Sequence, residues 1–306
     1  MFPGTLTEIE MRKPLFLLIG LAFASVSAVS TRTATATDEH ADHVDVAAGV
    51  AFQQAGIPAS GATAAERVAA SPRRNQWVVI KAGADSVAAW VVYPQRTDKA
   101  PVVVVLHENT GLNVWTRNVA DQLAAEGFVA IAPDLTTMQR TGNLAADPTQ
   151  EEGRAGIQAL GQQPQKVQAY LDAAAAYAMA LPEAQPKYGL VGFCWGGQNT
   201  FRHAVHAPTL GAAVVYYGVS PPSDQLTAVK APVLGLYGGN DARVNNTIPA
   251  ADSTMKKLGK TYEHHIFEGA GHGFLRAQEG ANGANMTASQ QAWPKTVEFF
   301  KKHLGS

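Results

Sequence analysis

The sequence has one cysteine, Cys194, in 306 residues, so no disulfide can form within the chain. Charge is scarce as well, at 16% of residues with a formal net charge of −1. No run of Lys and Arg forms a basic stripe, which excludes a nucleic-acid-binding surface. Internal repeats are absent. The longest apolar run, residues 14–29, falls short of the roughly 20 residues that a membrane span needs. What the chain does have is apolar substance. Hydrophobic residues make up 46%, enough for a substantial core in one large domain or two small ones.

The short apolar run has another use. Arg12 and Lys13 precede "PLFLLIGLAFASVSAV", which gives way to Ser, Thr and Ala. A charged start, an apolar middle and a small-residue exit describe a secretory signal. Cleavage sites are offered after Ala24, Ala28 and Ala36, and Met11 offers a second start beside the charges. Residues 1–36 are therefore expected to be a signal peptide, leaving no membrane span after cleavage and a periplasmic or secreted protein. The alternative is a membrane anchor formed by the uncleaved segment. No cysteine lies near the exit, which argues against a lipid anchor. Residues 37–74 read as a linker or N-terminal extension. His40 and His43 stand there among Asp38, Asp42 and Asp45, and a solvated tail accounts for them better than a metal site does.

From Trp77 onward, β-branched runs alternate with helical patterns. "WVVI" and "AAWVVYP" predict two strands joined by a turn at Gly83-Ala84-Asp85. "PVVVVLH" predicts a strand buried on both faces. Strands follow in "VAIAPD", "KYGLVGF", "GAAVVYYG", "APVLGLYGG" and "TYEHHIFEG". Helices lie between them, and "QQAWPKTVEFFKKHL" closes the chain. Alternation of this kind predicts an α/β fold, a mostly parallel central sheet with helices on both faces, over residues 75–306. Residues 136–164 break the rhythm as a long polar excursion, the form of a lid or binding loop.

Cys194 stands between glycines in "VGFCWGGQ", where a strand runs straight into a helix. This is the form of a nucleophile elbow with sulfur in place of the commoner hydroxyl. A helix N-terminus directed at sulfur favours the thiolate. The plainer reading is a small buried thiol. Asp241, after "LGLYGG", and His272, in "GAGHGF", decide between them. They follow Cys194 in the order nucleophile, acid, histidine, each on a loop after a strand, so all three fall at the carboxyl edge of a parallel sheet. His272 would hold the thiol proton and Asp241 would fix its tautomer. The backbone N–H groups of Trp195 and Asn109 are placed to form an oxyanion hole. Glu108, at the end of the strand "VVVVLHEN", adds a carboxylate unusual for a plain esterase. Tyr217 ends another strand and is a candidate to line the site.

These stretches together, "VVVVLHENTGLN", "LAAEGFVAIAPDL", "GLVGFCWGG", "YYG", "GLYGGNDARV" and "GAGHGF", resemble the dienelactone hydrolase family of α/β-hydrolases. The resemblance spans about Trp77 to Leu304. It implies a Cys194–His272–Asp241 triad, a Glu108 that helps generate the thiolate when substrate binds, and enol-lactones or other small esters and lactones as substrates. It also implies two arginines that bind a substrate carboxylate. Arg276 matches one. Arg140 and Arg154, in the polar excursion, are candidates for the second. Neither an organic cofactor nor a metal is required, and no partner beyond a small-molecule ester or lactone is implied. The oligomeric state stays open, and a monomer suffices. A thioesterase or general carboxylesterase is the nearest alternative. A non-catalytic binding protein or thiol redox sensor on the same fold is a more distant one, since a sensor has no need of Asp241 and His272 in this order.

The mature protein is expected outside the cytoplasm, beginning between Ser25 and Thr37. N-terminal sequencing of the native protein checks this, and a soluble protein that keeps Met1 or Met11 contradicts it.

Overall fold

The computed structural model describes residues 56–305. The expected leader, His40, His43 and the first part of the expected linker lie outside the described residues. At the centre is β3 (Ala100–Leu106), seven residues all buried. It pairs in parallel with β4 (Val129–Asp134) on one side and β5 (Ala184–Phe193) on the other. Beyond β5 the parallel ladder continues through β6 (Ala212–Tyr216), β7 (Val233–Gly238) and β8 (Tyr262–Phe267). Beyond β4 lies an antiparallel hairpin of β1 (Asn75–Ala82) and β2 (Asp85–Val92). The order is β1-β2-β4-β3-β5-β6-β7-β8. This is the mostly parallel sheet that the alternation predicts.

Continuous Val, Ile and Ala runs in the central strands leave both sheet faces apolar, and helices cover both. The helix α1 (Ala64–Ala69) precedes the sheet. One face packs α2 (Val114–Ala125) and, near the C-terminus, α8 (Ala284–Phe300), through Trp115, Val119, Leu123 and Trp293. Between them in chain order come α3 (Gln150–Gly161), α4 (Pro164–Met179), α5 (Trp195–His206), α6 (Ala242–Asn245) and α7 (Ile248–Lys257). The opposite face packs α4, α5 and α7 through Tyr170, Leu171, Phe201 and Met255. Among the described residues no helix is long and apolar enough to cross a membrane.

Three regions differ from the expectation. Residues 56–74, read as linker, are built into the domain. Ile57 and Ala64 join the core. The Ala59 carbonyl accepts from the Trp115 indole at 3.2 Å, and Ser71 and Arg73 bind Asp121 of α2. The polar excursion contains α3, which starts in a capping box: Thr149 Oγ1 accepts from Glu152 N while Glu152 accepts from Thr149 N. Gly153 lets α3 lie flush on the loop after β3, since a Cβ there would overlap the Thr110 carbonyl. Finally, α8 begins at Ala284, earlier than the apolar pattern suggests.

A buried charge pair anchors the excursion. Asp134, at the end of β4, accepts from Leu112 N, Thr136 N and Thr136 Oγ1, and its other oxygen accepts from Arg140 Nη1 at 2.7 Å. The Arg140 side chain is 3% exposed and also donates to the Asn143 and Ala146 carbonyls. As a candidate for substrate binding Arg140 is therefore corrected: its guanidinium is buried against Asp134 and the loop carbonyls, with Nε unpartnered among the described residues. Breaking one side of a buried pair strands the other charge, at a cost of about 3–5 kcal/mol. Arg140→Ala is expected to lower unfolding free energy by that amount in urea titration, and a loss below about 1 kcal/mol, the range of surface pairs, contradicts this role.

Candidate active site

Only Cys194 separates the last residue of β5 from the first of α5. To turn so sharply it adopts φ 56° and ψ −114°, a region costly for a residue with a side chain. Its N–H is held by the Tyr216 carbonyl at 3.1 Å. Gly196 permits the crowding, because a Cβ there would overlap the carbonyl oxygens of Leu106 and His107. Cys194 is half-buried at the positive end of α5, where the first N–H groups have no partner within the helix.

The acid and the histidine come from the next strands of the same edge. The turn after β7 is stitched to the turn after β8: Gly239 N donates to Phe267 O, Asn240 N to Ala270 O, and Asn240 Nδ2 to Gly269 O. Asn245 of α6 clasps the Gly238 carbonyl from behind. Asn285 of α8 accepts from Gly271 N and donates to Ala277 O, gripping both sides of the His272 loop. So held, Asp241 Oδ2 accepts from His272 Nδ1 at 2.5 Å. With Nδ1 committed to the carboxylate, Nε2 is left for the thiol. The neighbouring Cys194 thiol is the largest influence raising the His272 pKa. Burial opposes it, the bond to Asp241 adds to it, and the result is a pKa of about 9.

Glu108 lies at the same edge, 6% exposed. The structure pairs it with Arg276 Nε at 2.6 Å, and this ion pair raises the guanidinium pKa. Arg276 is thus held by the Glu108 carboxylate. The loop that carries it is braced by residues preceding the sheet: Gly61 N donates to Arg276 O at 2.8 Å, and Gln278 Nε2 donates to Pro58 O at 2.9 Å. Tyr217, after β6, takes φ 38° and is fully buried, its ring 5.0 Å from that of His272. Burial, followed by the nearby Glu108 charge, raises its pKa well above 10. The Tyr217 hydroxyl has no hydrogen-bond partner among the described residues. Backbone N–H groups of Trp195 and Asn109 likewise donate to no protein group among them. Arg154 is exposed on α3, and no ion pair engages it among the described residues.

The edge therefore assembles Cys194, His272, Asp241, Glu108, Arg276 and Tyr217. The supports Asn240, Asn245 and Asn285 went unmarked in the sequence. Among the described residues no group of three His, Cys, Asp or Glu side chains could hold a metal. Chemically, the arrangement offers a thiol with a proton acceptor, two unengaged N–H groups and a cation balanced by a buried carboxylate.

The dienelactone hydrolase family matches residues 87–304 of the chain. A Salmonella typhimurium protein provisionally named a carboxymethylenebutenolidase is 32% identical over 234 residues, covering 72% of this chain and 84% of that one. A crystal structure of a provisionally named dienelactone hydrolase from Klebsiella pneumoniae superposes with a TM-score of 0.63 at 28% identity, covering 74% of this chain and 98% of that one. A dienelactone hydrolase-like promiscuous phosphotriesterase from metagenomic libraries shares the fold, with a TM-score of 0.66 at 23% identity over 76% of this chain and 98% of that one.

The raised pKa of His272 has a sign that can be tested. Its ordinary value is 6.5 and its folded value about 9. Stability from this group is fully present below about 6.5 and is lost as pH rises through about 9. In wild type the ring should titrate near 9 by NMR. Cys194→Ala removes the largest raising influence and should move the midpoint down. A midpoint unmoved in that variant would show that the thiol is not the imidazole's partner.

Proposed function

The chain belongs to the dienelactone hydrolase family, hydrolases of the lactone and ester type, and from that premise we propose that Cys194 is the nucleophile of a Cys194–His272–Asp241 triad acting through a thioester. The observation that carries this reading is the bond of His272 Nδ1 to Asp241, with the other ring nitrogen left to the thiol. The thiolate sulfur adds to the carbonyl carbon and the C=O π pair moves to oxygen. That oxyanion is held by the N–H groups of Trp195 and Asn109. When the carbonyl re-forms, the C–O bond breaks and the alcohol or enol leaves with the proton from His272. In the thioester the sulfur no longer stabilises the imidazolium, so the His272 pKa falls. The same ring then takes a proton from water, which attacks the thioester, releasing the acid and restoring Cys194.

The pairing of Glu108 with Arg276 supports an anionic substrate. A carboxylate that engages Arg276 competes with Glu108 for the guanidinium. Glu108 would then be left buried without its counter-charge. Substrate arrival would thus disturb the charge balance around the site. Tyr217 packs on His272 from within the core, its hydroxyl unpartnered among the described residues. The leader pattern of residues 1–36 supports an exported enzyme.

Cys194→Ala is expected to abolish turnover in a folded protein, and Asp241→Asn to lower kcat by up to about 10⁴-fold by releasing the His272 tautomer. Arg276→Ala should lower kcat/KM for carboxylate-bearing lactones by about 10- to 100-fold, mainly through KM, since a charged hydrogen bond contributes about 1.5–3 kcal/mol. A neutral ester such as p-nitrophenyl acetate should not be slowed. Steady-state kinetics on one anionic and one neutral substrate measure all three variants. Near-wild-type rates in Cys194→Ala reject the nucleophile, and equal effects of Arg276→Ala on both substrates reject the carboxylate contact.

A further inference from the structure

We infer that His107 is a positioning residue that aims the Asn109 N–H at the substrate's carbonyl oxygen. The inference rests on the reading of Cys194 as nucleophile and adds to it a device that sets the oxyanion hole. His107 follows β3 directly and is fully buried. Both of its ring nitrogens are engaged. Nδ1 lies 2.7 Å from the Glu108 carbonyl oxygen, and Leu135 N–H points to Nε2 at 3.2 Å. A carbonyl oxygen only accepts and a backbone N–H only donates, so the ring proton must sit on Nδ1 and Nε2 must be bare. The tautomer is fixed by its surroundings, and burial keeps the ring neutral by lowering its pKa.

The consequence lies in the peptide that joins Glu108 to Asn109. A trans peptide is planar, with its C=O and N–H pointing in opposite directions. Because the His107 ring draws the Glu108 carbonyl to one side, the Asn109 N–H turns to the other. That N–H donates to no protein group among the described residues. If the peptide turned over, a carbonyl oxygen would face the place where negative charge develops and repel it. The ring is itself clamped, stacked on Trp195 with centroids 5.6 Å apart and planes 10° from parallel. Gly196 packs against the Leu106 and His107 carbonyls just below. One side chain thus ties the Asn109 peptide to the residue that supplies the other N–H.

Three substitutions separate this role from mere packing. An asparagine amide nitrogen can occupy the place of Nδ1, a glutamine amide reaches the place of Nε2, and leucine offers neither. With p-nitrophenyl acetate, His107→Gln and His107→Leu are expected to lower kcat by about 10- to 100-fold with KM little changed, approaching the loss of an oxyanion donor. His107→Asn should restore most of that rate. Alkylation of Cys194 by iodoacetamide attacks a saturated carbon and needs no oxyanion hole, so its rate should be the same in all three. Equal losses in Asn and Gln, or wild-type kcat in both, overturn the inference. So does a fall in alkylation rate that parallels kcat, which would place the effect on the thiol. If the His107→Leu variant does not fold, the Asn and Gln pair still decides. Iodoacetamide that leaves wild-type turnover intact would instead refute the Cys194 reading itself.

Discussion

Five parallel strands end at one edge of the sheet, and each hands over a different part of the site. The turn from His107 to Asn109 follows β3, Cys194 follows β5, Tyr217 follows β6, Asp241 lies beyond β7 and His272 beyond β8. Strand direction alone places them together, because parallel strands present all their carboxyl ends to the same side. The sharpest demand falls on Cys194. A buried strand must become a helix across one residue, and the positive φ there is tolerated because β6 grips the Cys194 N–H and Gly196 lets α5 touch the backbone after β3. The crowding that strains the cysteine also presses the two oxyanion candidates against one another through His107 and Trp195.

Charge is arranged at this edge as two neighbouring balances. Asp241 offsets an imidazolium, and Glu108 offsets Arg276. Both carboxylates are nearly buried, while their cationic partners are a third or more exposed. The asymmetry has a purpose under the proposed chemistry. A buried anion is costly unless paired, so each carboxylate depends on a partner that an incoming ligand can reach. Disturbing the outer cation is therefore felt by the inner anion. The Asp134–Arg140 pair, with both members buried, lacks that access and serves the fold alone.

Much of this was legible in the sequence because it is local. Continuous Val runs mark the central strands, glycines flank Cys194, and Asp241 and His272 each sit directly after a strand signal. What escaped was carried by contacts distant along the chain. Glu108 and Arg276 are 168 residues apart, and no pattern pairs them. Asn285 grips the His272 loop from the start of a helix whose apolar periodicity becomes clear only later in the chain. The helix α3 was locally signalled by Thr149-Gln150-Glu151-Glu152, a capping box, but its polar composition hid it. For Tyr217 a positive φ could not be foreseen, since an aromatic residue carries no preference for that region.

Residues 57–61 lie outside the stretch that the family matches. They precede the 87–304 match and look like linker by composition, yet they are held by α2 and by the loop that carries Arg276. Gly61 bonds the Arg276 carbonyl and packs against its aliphatic stem. The guanidinium is thus set from two directions, by Glu108 at its head and by this segment at its base. Under the proposed chemistry, a ligand that displaces Glu108 would meet the guanidinium close to where it already lies. Under the proposed reading, recognition of a substrate carboxylate would therefore depend on a stretch of chain outside the matched region, packed onto a site whose candidate reacting groups all lie within it.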